Sequence, residues 1–140
     1  DRIVNAVAAY ERLRAGVIVV DFGTATTFDV LEDGVFLGGL IAPGPEFALQ
    51  ALARHAPRLD PVPFEPAPLE AGENTAAAMT RGGWHFGIGG INWCIDGLLQ
   101  RHGPLPVMLT GGLGHHLVQS QRRHDPHLTL RGAAHLAGLD

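Results

Sequence analysis

The sequence predicts a single mixed α/β domain, and three observations support that class. A chain of 140 residues, 46% of them hydrophobic and 17% charged, fits one domain with a substantial core. Three strand-like segments near the amino terminus are separated only by short turns, which predicts an antiparallel meander. Beyond them, helical and strand-like segments alternate, so the predicted order is α, βββ, α, α, β, α, β, α.

The first part of the chain is predicted to be a helix followed by the meander. Apolar residues recur at helical spacing from Ile3 to Leu13, and Gly16 marks the end of that helix. Asp33-Gly34 is typical of a two-residue hairpin turn. The strands are predicted at Val17–Val20, Thr26–Leu31 and Val35–Ile41.

The remainder alternates helices and strands around a proline-rich loop. Five prolines between Pro57 and Pro68 predict a loop, and Asn74 is a good N-cap for a long helix that follows. Further helices are predicted at Glu46–His55, from Asn74 towards Gln100, at Leu113–Gln119 and at Gly132–Leu139. Further strands are predicted at Leu105–Leu109 and near Leu128.

The composition excludes several classes of chemistry. All ten basic residues counted as lysine or arginine are arginine, so there is no P-loop lysine and no Schiff-base lysine. Cys94 is the only cysteine, which excludes disulfide frameworks and cysteine-based zinc sites. A formal net charge of −4 is unfavourable for binding a phosphate backbone. The apolar run Val17–Val20 is far too short to span a membrane. We therefore expect a cytoplasmic protein with neither a nucleic-acid partner nor membrane attachment.

The segment Val19–Thr27 carries the strongest chemical signal. Asp21 ends a buried strand, and a turn with Gly23 and Thr24 follows. A glycine turn with hydroxyl groups can receive phosphate oxygens, and the carboxylate can hold a counter-ion beside them. The alternative is a polar hairpin in which the aspartate only caps the turn.

A second glycine turn, Thr110-Gly111-Gly112, lies between a predicted strand and a predicted helix. Such turns present backbone amides at a helix amino terminus, where nucleotides often bind. A plain strand-to-helix turn explains the same residues.

These motifs, taken in order, resemble the type III pantothenate kinase family. The resemblance extends over essentially the whole chain and includes its first two residues, the segment around Asp21 and the closing Leu128–Gly132. The matching segments are Asp1-Arg2, Asn5–Ala9, Asp21–Thr27, Gly38-Gly39, Ala42–Gly44, Gly72–Thr75, Ala78-Met79, Thr110–Gly112 and Leu128–Gly132.

The resemblance implies a fold and an activity. The family belongs to the acetate and sugar kinase, Hsp70 and actin superfamily, whose members have two ribonuclease-H-like halves with ATP between them. Residues 1–140 then form one ribonuclease-H-like domain, the carboxyl-terminal half, with a three-stranded antiparallel meander extended by parallel strands and helices on both faces. The implied reaction is phosphorylation of pantothenate to 4′-phosphopantothenate, the first step of coenzyme A synthesis.

The resemblance also implies roles for individual residues. Asp1 matches the general base that takes the proton from the pantothenate hydroxyl, and Arg2 and Thr75 match substrate contacts. Asp21 matches the ligand of a monovalent cation, and Thr24 matches a contact to ATP. Together with Thr24, the ATP-binding residues are expected to be Gly23, Gly111 and Gly112.

The expected cofactors are ATP with Mg²⁺ and a monovalent cation, K⁺ or NH₄⁺, and the expected assembly is a homodimer with a shared active site. The amino-terminal half, with its phosphate-binding loop, is expected elsewhere in the complete protein. One local departure from the family pattern, His55–Asp60, bears on the substrate pocket.

Two alternatives stay open. A non-catalytic binding or regulatory protein could keep the kinase fold, and another kinase of the superfamily could act on a different alcohol. The eight histidines include His115-His116 and the pair His124 and His127, but no carboxylate or thiolate completes a convincing metal site.

Overall fold

One five-stranded mixed sheet organises the chain in the computed structural model, which describes residues 2–118 and 121–139. The strands are β1 (Val17–Phe22), β2 (Ala25–Glu32), β3 (Val35–Pro43), β4 (Val107–Gly111) and β5 (Arg122–His124). Their order across the sheet is β3-β2-β1-β4-β5. The pairs β1–β2 and β2–β3 are antiparallel, whereas β1–β4 and β4–β5 are parallel. The predicted meander extended by parallel strands is therefore confirmed.

Helices cover both faces of this sheet, as predicted. They are α1 (Arg2–Leu13), α2 (Pro45–His55), α3 (Thr75–His102) and α4 (Leu128–Leu136). Helix α3 packs on the face formed by Ile18, Val20 and Phe28, while α1 and α4 pack on the opposite face, around Val17 and Val19. This arrangement is compatible with one ribonuclease-H-like half of an actin-like protein.

The central strand β1 owes its position to its composition. The side chains of Val17–Val20 are completely buried, because alternate residues contact α3 on one face and α1 with α4 on the other. A strand that is buried on both faces is continuously apolar, and β-branched residues suit it. The polar Asp21 interrupts this run only where the strand approaches its end.

The β2–β3 hairpin confirms the prediction made from Asp33-Gly34. Both residues have positive φ, 49° at Asp33 and 76° at Gly34. A two-residue turn with positive φ at both central positions matches the twist of the strands that flank it. Asn74 likewise caps α3 as predicted, because its side-chain oxygen accepts a hydrogen bond from the Ala77 amide at 2.8 Å.

The predicted strand near Leu128 is wrong. Leu128 begins α4 instead, because the Asp125 carboxylate accepts the His127 amide at 3.0 Å and the Asp125 carbonyl accepts the Leu128 amide at 3.3 Å. The fifth strand lies earlier, at Arg122–His124, where its polar sequence gave no strand signal. The last helix accordingly begins four residues before the predicted Gly132.

Two further differences from the predicted boundaries have a clear physical cause. Strand β4 begins at Val107 rather than at Leu105, because Pro106 has no amide hydrogen to donate to the sheet. The helix predicted at Leu113–Gln119 is reduced to a 3₁₀ helix, Gly114–Leu117, because glycine disfavours a longer helix and Val118 is extended. Gln119 lies outside the described residues.

Candidate functional site

Two glycine turns meet at one edge of the sheet because β1 and β4 are parallel neighbours. Phe22, the last residue of β1, pairs with Gly111, the last residue of β4. The Gly112 amide donates to the Phe22 carbonyl at 3.3 Å. The structure therefore brings together four of the residues predicted to bind ATP, and we call Gly23, Thr24, Gly111 and Gly112 the glycine edge.

Close backbone packing at this edge depends on particular glycines. Gly111 has φ of 84°, and a Cβ atom there would lie 2.3 Å from the Phe22 carbonyl oxygen. Gly44, immediately before α2, would place a Cβ atom 2.2 Å from the Gly23 carbonyl oxygen. Its amide donates to the Thr24 carbonyl at 2.8 Å. The amino terminus of α2 therefore packs closely against the β1–β2 turn and is hydrogen-bonded to it.

Not every amide of the glycine edge is available to a ligand. The Gly23 amide donates to the Ala25 carbonyl at 3.0 Å, and the Gly112 amide is engaged with Phe22. Thr24 and Ala25 are exposed at the tip of the turn. In this arrangement the Gly23 and Gly112 amides are hydrogen-bonded within the protein, and the Thr24 side chain is exposed at the surface.

Asp21 lies in a row of oxygen-bearing side chains across three strands. In the sheet register Asp21 pairs with Thr27 on β2 and with Thr110 on β4. Paired residues on adjacent strands project from the same face, so a carboxylate lies between two hydroxyl-bearing residues. Oxygen donors of this kind suit a hard cation, and the cation role of Asp21 stays a prediction.

Two residues that received no role from sequence reasoning hold the Asp21 carboxylate. Asn5 of α1 is buried and donates its side-chain amide to Asp21 Oδ2 at 2.8 Å. Thr129 of α4 donates its hydroxyl to Asn5 Oδ1 at 2.6 Å. Both residues lie in segments that carried the family resemblance. Their contact joins positions 5 and 129, a relation that sequence spacing does not reveal.

Arg2 is anchored to the sheet at a second buried carboxylate. Its guanidinium forms an ion pair with Asp29 of β2 at 2.6 Å and lies 5.6 Å from the centre of the Phe36 ring. Nε and Nη2 both contact Asp29 Oδ1. A desolvated carboxylate needs such a partner, so Arg2 also has a structural role. Asp1, the predicted general base, lies outside the described residues.

Thr75 is not brought to the glycine edge. It begins α3 and lines an apolar groove of about 740 Å³ between α2 and α3. The two helices are antiparallel, because Gly87 faces Pro45 at the start of α2 and Gly83 faces Leu49 one turn later. The segment of α3 from Thr75 to Gly87 measures about 18 Å, so Thr75 lies at the far end of the groove.

Three of the histidines cluster beside Gly111 without forming a metal site. The His115 ring lies 3.9 Å from the His116 ring and 6.4 Å from the His124 ring, measured between centres. His124 Nε2 contacts the Gly111 carbonyl at 3.1 Å. Desolvation, and then the nearby His115, lower the pKa of His116, which favours its neutral form. Within residues 2–118 and 121–139, no group of three or more His, Cys, Asp or Glu side chains could hold a metal ion.

Among the described residues, no helix is both long and apolar enough to cross a membrane.

A mixed sheet covered by helices on both faces, with an aspartate and two glycine turns gathered at one edge, defines an α/β domain with a candidate phosphate-binding edge. Residues 1–97 match the family model of type III pantothenate kinase. The chain belongs to the type III pantothenate kinase family.

Individual relatives agree with that assignment. Type III pantothenate kinases from Anaeromyxobacter sp. (strain K) and Myxococcus xanthus are each 44% identical to this chain over 94% of its length. The chain spans about half the length of these curated relatives, 54% in both cases. In a comparison of structures, it aligns with a Campylobacter jejuni protein assigned to the Baf family of transcriptional activators. The TM-score is 0.65 at 27% identity, covering 96% of this chain and 63% of the other.

The packing at the glycine edge predicts that two adjacent glycines differ in their tolerance of alanine. Gly111→Ala combines positive φ with a backbone clash and should destabilise the protein by about 1–3 kcal/mol or more. Gly112→Ala is the matched control, since a Cβ atom there meets nothing within 4 Å in the part of the chain that the structure describes. Chemical denaturation of both variants measures the difference, and equal stabilities would contradict the described geometry.

Proposed function

We propose that the complete protein transfers the γ-phosphoryl group of ATP to pantothenate, giving 4′-phosphopantothenate in coenzyme A synthesis. The observation that carries the proposal is the convergence of Asp21 and the glycine edge at the ends of two parallel strands in a member of this family. Phosphoryl transfer needs positioning and electrostatic stabilisation of the phosphates, and turns of this kind supply both. We expect the enzyme in the cytoplasm.

The chain's part in the reaction begins with the nucleotide. We infer that residues 1–140 are one ribonuclease-H-like half, with ATP bound between it and a second half. The Thr24 hydroxyl would donate to a phosphate oxygen, while Gly23, Gly111 and Gly112 let the backbone approach the nucleotide.

The negative charges of the ATP phosphates and of the Asp21 carboxylate have to be balanced for ATP to bind at this edge. When bound with ATP, Mg²⁺ neutralises charge on the phosphate groups. Asp21 would hold K⁺ or NH₄⁺, and the row Thr27–Asp21–Thr110 provides oxygen atoms suited to such an ion.

The acceptor end of the site is assigned to the start of α1. Asp1 would take the proton from the pantothenate hydroxyl, which is the role of a general base. Arg2 would contact the pantothenate carboxylate. Because Asp29 engages Nε and Nη2 of Arg2, we assign that contact to the remaining nitrogen, Nη1.

A homodimer would bring Thr75 to an active site. An apolar stripe runs along α3, in which Phe86 and Trp93 are 88% and 80% exposed. The open glycines of the same stripe are Gly82, Gly89, Gly90 and Gly97. Their spacing places them on one side of the helix, where a second copy could approach closely. We propose that the stripe forms the interface and that Thr75 serves a site shared by the two copies.

A second candidate function has one specific observation in its favour, the structural similarity to a protein assigned to the Baf family of transcriptional activators. Under this alternative the chain is a non-catalytic regulatory protein that keeps the kinase fold. Its net charge of −4 opposes direct contact with DNA. A wild-type protein that binds ATP but phosphorylates neither pantothenate nor another alcohol would favour this alternative.

The general-base assignment predicts a large effect of a minimal substitution. Asp1→Asn in the complete protein should lower kcat for pantothenate phosphorylation by about 10²–10⁴-fold, because the amide cannot accept the proton. The matched control is Asp33→Asn, at the exposed tip of the β2–β3 hairpin, which should leave kcat unchanged. Steady-state kinetics with both variants decide the question, and unchanged kcat in Asp1→Asn would refute the assignment.

The proposed interface predicts that a charge on the α3 stripe separates the dimer. Trp93→Glu should convert a dimer into a monomer in sedimentation experiments, because an unpaired carboxylate would be buried between the two helices. Leu69→Glu is the control, since Leu69 is 83% exposed but lies in the loop before α3. A Trp93→Glu protein that remains dimeric would show that the copies associate elsewhere.

A further inference from the structure

The buried amide of Asn5 connects three elements of the fold at one point. Its nitrogen donates to Asp21 Oδ2 on β1 at 2.8 Å, and its oxygen accepts the Thr129 hydroxyl of α4 at 2.6 Å. Asn5 itself belongs to α1 and is 1% exposed. A buried amide whose two ends are both engaged has a single favourable orientation.

The Asp21 carboxylate, which can only accept, determines which end of the Asn5 amide faces it, and Thr129 holds the other end. A hydroxyl group has one hydrogen, and here it is donated to Asn5 Oδ1. Rotating the amide by half a turn would bring its oxygen against the Asp21 carboxylate and its nitrogen towards the hydroxyl. The helices that carry the two residues are in close contact, because a Cβ atom on Gly132 of α4 would lie 2.3 Å from the Val4 carbonyl oxygen of α1.

We propose that Asn5 and Thr129 are positioning residues that fix the Asp21 carboxylate for a monovalent cation. The inference rests on the cation role assigned to Asp21 under the proposed function. With Oδ2 engaged by Asn5, a cation at Asp21 binds through Oδ1. Residues that orient a ligating side chain are important for affinity, since a carboxylate free to rotate loses part of its binding geometry.

The same contact relates the two ends of the active site. Asn5 lies one helical turn after Arg2, so the start of α1 and the end of β1 are joined through one hydrogen bond. The Thr129–Asn5–Asp21 chain thereby fixes the acceptor end of the site relative to the cation at its phosphate end. If Asn5 and Thr129 had a purely structural role, substituting them would change only the stability of the protein. A positioning role also changes how activity and stability depend on the K⁺ concentration.

The test removes the hydroxyl of Thr129 and keeps its shape. Thr129→Val in the complete protein should raise the K⁺ concentration for half-maximal activity by about 10-fold. The KM for pantothenate should change much less. Thr129→Ser retains the donor and should restore the wild-type K⁺ dependence. Thr80→Val, a threonine of α3 away from this contact, is the control for losing a hydroxyl on a helix.

A second readout does not depend on catalysis. The unfolding temperature in saturating KCl, compared with choline chloride, should rise for the wild-type protein and for Thr129→Ser but much less for Thr129→Val. Equal K⁺-dependent shifts in Thr129→Val and the wild type would overturn the inference. A wild-type protein that shows no K⁺-dependent shift would also overturn it, whether or not the protein phosphorylates pantothenate.

The kinase assay separates this inference from the proposed function. Phosphorylation of pantothenate with unaltered K⁺ dependence in Thr129→Val leaves the proposed function standing and refutes the positioning role. Conversely, a K⁺-stabilised protein that phosphorylates no pantothenate would refute the proposed function, while Thr129→Val would still decide the role of the Asn5 contact.

Discussion

The parallel pairing of β1 with β4 is the constraint on which the rest of the molecule depends. It gives the sheet its central pair of strands and aligns Phe22 with Gly111, so two glycine turns that are far apart in the chain share one edge. The continuous burial of Val17–Val20 explains why this pair lies at the centre of the fold. Asp21, one residue before the end of β1, is consequently presented beside both turns.

The sequence predicts the fold well wherever a local signal is strong. Short stretches of sequence were enough to predict three features: the hairpin turn at Asp33-Gly34, the helix cap at Asn74 and the buried strand Val17–Val20. The strand at Arg122–His124 could not be predicted in this way. It is held by pairing with β4 and by the contacts of the Arg122 guanidinium with Asn92 and Asp96 of α3. These contacts all join residues that are distant in sequence, so the residues of the strand give no local signal.

In the candidate site, too, some features have a local sequence signal and others depend on tertiary contacts. Motif order predicts roles for Asp21, Thr24 and Gly111, because each belongs to a turn or a strand end with a recognisable composition, and those roles stay predictions. The side-chain contacts around the site could not be predicted, since Asn5–Asp21, Asn5–Thr129 and Arg2–Asp29 each join elements distant in sequence. Polar groups buried among helices need such partners. The family resemblance pointed to these segments without revealing their contacts.

The chain spans about half the length of its curated relatives, so the proposed activity is that of the complete protein. We propose that Asp21 and the glycine edge serve phosphoryl transfer to pantothenate. The most direct measurement incubates the complete protein with γ-labelled ATP, Mg²⁺, K⁺ and pantothenate, and follows the label. We expect labelled 4′-phosphopantothenate, formed in proportion to the protein added. A folded protein that binds ATP but transfers no label to pantothenate would contradict it.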